Sequence, residues 1–96
     1  MRRNEAIQRL TEIKPELEQK FGITRLALFG STARDAAQAG SDIDILVTFD
    51  SPANSARFFG AQFYLEDTLG CPIDLVTEKA LRKELRPYVE SEVIYV

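Results

Sequence analysis

The chain has 96 residues, 45% hydrophobic and 28% charged, with 12 Lys and Arg against 15 Asp and Glu for a formal charge of −3. That length suits one domain with one small core, spanning residues 1–96. The absence of histidine and the single cysteine, Cys71, exclude a Ser–His triad, a His-ligated zinc site and an internal disulfide. The acidic balance argues against nucleic acid as the main partner. No apolar run approaches the roughly 20 residues of a membrane span, and the N-terminus lacks a signal-like apolar stretch, so a cytoplasmic protein is expected.

Ile7, Leu10, Ile13 and Leu17 recur at helical spacing and predict an amphipathic helix from about Arg3 to Lys20, with Gly22 as a left-handed cap. Thr24 to Phe29 reads as a strand, ended by Gly30-Ser31, and Thr32 to Gln38 as a short helix closed by Gly40. Ser41 to Phe49 is the clearest strand, β-branched and apolar after its two acids. After turn residues at Asp50 to Asn54, Phe59, Phe63 and the stretch to Leu69 predict a third helix that Gly70 stops, with Phe58, Phe59 and Phe63 read as core or helix-packing residues ahead of a contact with a nucleotide base or partner. Pro72 to Val76 reads as another strand, and Thr77 as the N-cap of a helix running to about Arg86. Arg82, Lys83 and Arg86 read as one solvated face, Pro87 as the start of a final turn, and Glu92 to Val96 as extended. The order α-β-α-β-α-β-α predicts an α/β (α+β) layer structure, helices packed on a three- or four-stranded mixed sheet.

Chemistry concentrates in Gly30-Ser31, Asp42-Ile43-Asp44 and Asp74. Strand alternation puts Asp42 and Asp44 on one face, about 6.6–6.8 Å apart at the backbone, and Ile43, Ile45 and Val47 on the other. Asp74 stands in a second short apolar strand; if the two strands are neighbours, the three acids converge. Carboxylates crowded against apolar strands are costly without a cation, and Mg²⁺ suits such oxygen ligands. Gly30-Ser31, between a strand and a helix, can approach a phosphate closely, with Ser31 donating its hydroxyl and Arg34 one turn away. Each feature alone has a plain structural explanation: a solvated strand face, or a turn with its cap. Their combination in a compatible order points to catalysis.

Gly30-Ser31-Thr32-Ala33-Arg34 followed by Ser41-Asp42-Ile43-Asp44-Ile45-Leu46-Val47 resembles the signature of polymerase-β-like nucleotidyltransferases. The similarity is greatest to the minimal nucleotidyltransferases, antitoxin partners of HEPN-domain toxins, and covers almost the whole chain. Asp35 departs from the pattern, standing where many relatives have glycine. The resemblance implies a small nucleotidyltransferase palm, with Asp42, Asp44 and Asp74 as catalytic metal ligands for two Mg²⁺ ions. It implies Gly30 and Ser31 on the triphosphate of ATP, and transfer of AMP to a tyrosine of a HEPN ribonuclease toxin in a hetero-oligomeric complex. Competing expectations are a non-catalytic antitoxin that inhibits by occlusion and a nucleotidyltransferase for small molecules such as antibiotics. The second is disfavoured because 96 residues leave no acceptor-binding domain.

Overall fold

The computed structural model describes residues 1–36, 41–84 and 92–96, and for residues 82–84 the backbone alone. Helical spacing in α1 (Arg3–Phe21) turns Ala6, Leu10 and Leu17 into the core. Gly22 ends the helix at φ 70°, donating to the Glu18 carbonyl at 3.0 Å and accepting the Asp50 N–H at 2.8 Å. A side chain there would also lie 2.8 Å from the Asp50 carboxylate, so glycine is required on two grounds.

The chain continues as β1 (Ile23–Phe29), α2 (Gly30–Ala33), β2 (Ile43–Phe49), α3 (Ser55–Leu69), β3 (Ile73–Thr77), α4 (Glu78–Glu84) and β4 (Ile94–Tyr95). These strands form one mixed sheet in the order β3-β2-β1-β4. β1 is antiparallel to both β2 and β4, while β3 runs parallel to β2 and needs α3 as its crossover. The pleat then sorts side chains between two faces. Ile43, Ile45 and Val47 join Leu28, Ile73 and Leu75 against Leu10 and Leu17 of α1 and Ala61, Leu65 and Leu69 of α3. Ala27, Phe29 and Leu46 meet Leu81 of α4 on the other face. Each large aliphatic side chain so buried stabilises the fold by about 1.5–3 kcal/mol, and the larger cluster makes a rigid floor under the second face.

At the β3 edge of the sheet, Ile73 is held by α3 side chains. Its N–H donates to Glu66 and its carbonyl accepts from Gln62, both at 3.3 Å. Thr77 caps α4 as expected, its hydroxyl accepting the Ala80 N–H at 3.2 Å. No helix among the described residues is long and apolar enough to cross a membrane.

Three expectations need correction. The helix expected over Thr32 to Gln38 starts earlier and ends at Ala33, because Asp35 is left-handed at φ 57° and cannot continue it. The strand expected from Ser41 begins at Ile43, where pairing with Ile73 starts, so Asp42 lies just before it. Phe59 and Phe63 are 50% and 60% exposed rather than core, since Ala61, Leu65 and Leu69 take the inward side of α3. That helix also starts at Ser55, ahead of the expected aromatic stretch, because Asn54 Oδ1 caps it by accepting the Arg57 N–H at 2.8 Å. Gln38 and Gly40, the end of the last helix at Arg86, and Pro87 lie outside the described residues, as do the side chains of Arg82 and Lys83.

The conformation at Asp35 explains why glycine suits that position and what aspartate gains there. Its carboxylate accepts the N–H of Arg3, the first residue of α1, at 3.1 Å and pairs with Arg2 at 3.6 Å. The Arg3 hydrogen bond foremost holds the Asp35 carboxyl below the usual carboxylate range. Asp35→Ala would keep the backbone strain and lose the cap, whereas Asp35→Gly would lose only the cap. In urea denaturation, the alanine variant is expected to show the larger drop in midpoint.

Candidate active site

The second face of the sheet carries Asp44 at the start of β2 and Asp74 at the start of β3. The parallel register places them directly opposite one another. Asp44 is half-buried, Asp42 and Asp74 are exposed. Partial burial, then the charge and hydrogen bond of Asp74, then the charge of Asp42 push the Asp44 carboxyl up to about 6. The Arg34 guanidinium opposes this shift.

The same pair fits a divalent cation. Adjacent hard oxygen donors with a surplus of negative charge are the donor set that Mg²⁺ takes, its remaining positions going to water or phosphate oxygens. Among the described residues, no three acidic, histidine or cysteine side chains form a ready-made cage. Asp44 and Asp74 are brought together, and Asp42 stands at the open side with its charge felt by Asp44.

Gly30, between β1 and α2, packs against Asp44. Its φ is +72°, and a Cβ there would overlap Asp44 Oδ2 and lie 2.9 Å from Asp44 Cγ. Pairing of Phe29 with Asp44 in the β1–β2 ladder sets that approach. Ser31 follows, half-buried, its carbonyl accepting the Ala36 N–H at 2.8 Å. Within α2, the first-turn N–H groups have no intrahelical acceptor. Gly30 and Ser31 thus stand beside the carboxylate pair, as their order in the sequence suggested.

Arg34 is placed less simply. Its guanidinium donates to Glu92 Oε2 at 2.8 Å, although it remains close enough to influence Asp44. Glu92 was missed by sequence reasoning, being 58 residues away in the chain with no motif to mark it. Thr32 was missed as well: it is 1% exposed, and its hydroxyl has no hydrogen-bond partner among the described residues. A threonine in a turn gives no sequence signal of such burial. Cys71 is half-buried, and its burial raises the thiol pKa, which leaves it unreactive.

Comparison with known proteins bears on the same region. Residues 10–96 match the family described as a nucleotidyltransferase domain. The protein adenylyltransferase MntA of Thermococcus cleftensis is 39% identical over 87 residues, covering 91% of this chain and 88% of that protein. A solved structure described as a minimal nucleotidyltransferase superposes with a TM-score of 0.80 at 32% identity, covering 98% of this chain and 95% of the other. A toxin–antitoxin structure with AMP-PNP superposes with a TM-score of 0.56 at 25% identity, covering 86% of this chain and 60% of the other.

Proposed function

This chain belongs to the nucleotidyltransferase domain family, and from that premise we propose that it transfers AMP from ATP to a tyrosine hydroxyl of a HEPN-domain ribonuclease toxin, acting as its antitoxin. The observation that carries this reading is the Asp44–Asp74 pair facing Gly30. It combines an anionic cation site with a backbone surface bare enough for phosphate to approach. The name of the 39% identical relative supports AMP transfer to protein, and the AMP-PNP of the more distant structure supports an adenine nucleotide.

In this mechanism Asp42, Asp44 and Asp74 would hold Mg²⁺. When bound, Mg²⁺ supplies the positive charge that neutralises the triphosphate and orients its oxygens. The Ser31 hydroxyl donates to a phosphate oxygen, and the first-turn N–H groups of α2 take further ones. Gly30 contributes by having no side chain where the phosphate chain passes Asp44. Asp74, the outermost of the paired acids and solvent-exposed, is placed to accept the proton of the incoming hydroxyl. Arg34, anchored by Glu92, adds positive charge at the edge of the phosphate site. Positioning and electrostatics do most of the work, as is general in phosphoryl-group chemistry. The partner protein contributes the acceptor, whose oxygen bonds to the α-phosphorus of ATP as the bond to the β-phosphate oxygen breaks and pyrophosphate leaves.

Co-expression with a cognate HEPN toxin, followed by intact-mass analysis, tests this directly. One or more AMP-sized increments on the toxin are expected, and their loss, together with toxicity restored, in Asp42→Asn. Full neutralisation by Asp42→Asn with no increment on either toxin sample would replace transfer by occlusion.

A further inference from the structure

β2 and β3 lie side by side and run parallel, yet the helices that follow them pack on opposite faces of the sheet. α3 joins α1 beneath one face, whereas Leu81 of α4 covers Ala27, Phe29 and Leu46 on the other. Adjacent parallel strands whose continuations diverge in this way leave a crevice beyond their carboxyl ends, the usual ligand position of open α/β sheets. The paired aspartates occupy the other end of the same strands. Thr48 stands four residues along β2 from Asp44, a distance of about 13 Å.

A cavity of about 570 Å³ fills this crevice, lined among others by Thr48, Phe49, Phe58, Phe59, Glu78 and Lys79. That volume is in the range of small-molecule sites. Its wall is held in shape by the loop after β2. Arg57 pairs with Asp50 at 2.6 Å, donates to the Ser51 carbonyl at 3.2 Å and lies over the Phe49 ring at 5.0 Å. The Asp50 N–H is tied to the Gly22 carbonyl. The cavity is therefore preformed, and little ordering cost remains for a ligand.

The lining specifies what would fit. Phe58 and Phe59 meet edge to face with centroids 5.4 Å apart, and half of Phe59 stays open to solvent. An open aromatic face of this kind stacks planar rings. The nearby acids are already compensated: Glu78 pairs with Arg25 at 3.6 Å and accepts from the Tyr95 hydroxyl at 3.1 Å, and Asp50 is held by Arg57. Lys79 is exposed and has no carboxylate partner among the described residues. The cavity thus offers stacking surface and a lysine that no carboxylate compensates among the described residues.

We propose that this crevice is a second ligand site, separate from the paired aspartates, for a small organic anion with a planar ring such as a nucleoside monophosphate. The ring lies against Phe59 and the anionic group meets Lys79. Neither feature depends on the transfer reaction proposed above, so the two readings fail independently.

Titration of the ¹⁵N-labelled full chain with AMP, followed by NMR without divalent cations, decides the matter. Saturable shifts are expected at the amides of Thr48, Phe49, Asn54, Phe59 and Lys79. Phe59→Ala should weaken AMP at these amides at least roughly fivefold, as loss of a stacking partner does. Lys79→Ala should weaken AMP while leaving adenosine unchanged. Both side chains are exposed, and the same spectra report that the variants are folded. Shifts confined to Gly30, Ser31 and Asp42 to Asp44 would overturn the proposal. So would inorganic phosphate or adenosine binding the crevice as tightly as AMP, or AMP affinity unchanged in either variant.

Discussion

Asp44→Asn is expected to reduce nucleotidyl transfer at least roughly a hundredfold and, at the same time, to raise the melting temperature at pH 7. The loss follows from removing a charged ligand for Mg²⁺, whose charge stabilisation is worth several kcal/mol at about 1.4 kcal/mol per factor of ten. The gain follows from relieving a charge that is partly buried and stands beside Asp74 and Asp42. Asp44 has a folded pKa of about 6 against an ordinary value of 3.8, so the folded chain holds its proton more tightly than the unfolded one. Its contribution to stability is complete below pH 4, declines as pH rises towards 6, and stays lost above that. Two pK units correspond to about 3 kcal/mol, and solvent screening of a half-exposed carboxylate reduces this to about 1 kcal/mol. The asparagine variant lacks this slope, so the two proteins should melt alike near pH 3.5 and diverge by pH 7. Adding Mg²⁺ at pH 7 should stabilise the parent chain more than the variant. Scanning calorimetry at both pH values, with and without Mg²⁺, provides the check; a variant that melts lower than the parent at pH 7 would contradict the account of a costly, partly buried charge at Asp44.

Gly30→Ala is expected to damage the site from the backbone side. An alanine at φ +72° costs roughly 1–2 kcal/mol in conformational strain. Its methyl group would also overlap Asp44 Oδ2 and crowd Asp44 Cγ at 2.9 Å and Cβ at 3.1 Å, so rotation of the short side chain alone does not relieve the clash. Transfer should fall by at least roughly a hundredfold, since misplacement of a reacting group by about 1 Å has that effect. The melting temperature should fall as well, which separates this variant from Asp44→Asn. Restored transfer in Gly30→Ala at saturating ATP and Mg²⁺ would show that the carboxylate is not displaced.

How much of this was legible beforehand follows from what each signal depends on. The alternation of β2 alone separates Asp44 from Ile43, Ile45 and Val47, because a period of two is a local property. The cap at Thr77 and the stop at Gly22 are equally local, and both are found. The juxtaposition of Asp44 with Asp74 needs the parallel register of β2 and β3, which two residues 30 apart in the chain do not declare. Sequence reasoning could state it only as a condition. The pairing of Arg34 with Glu92 is of the same long-range kind. Elsewhere a local reading was available but ambiguous. Phe59 and Phe63 resemble core residues by type, but the smaller Ala61 and the leucines set the inward side of α3. The short span of α2 is fixed by Asp35, whose left-handed backbone answers to the N-terminus of α1 rather than to its own neighbours.

The grip of α3 on Ile73 bears on how the molecule meets others of its kind. An outer strand with free N–H and carbonyl groups is a template on which a second copy can add its own strand, the first step towards stacking and precipitation. Glu66 and Gln62 occupy those two groups on the residue next to Asp74. Sheet-to-sheet growth is blocked at that point by side chains from the chain's own crossover helix. Asp74 therefore faces open solvent beside a residue whose edge groups are already used, so copies of the chain cannot zip together through Ile73 at the mouth of the candidate site.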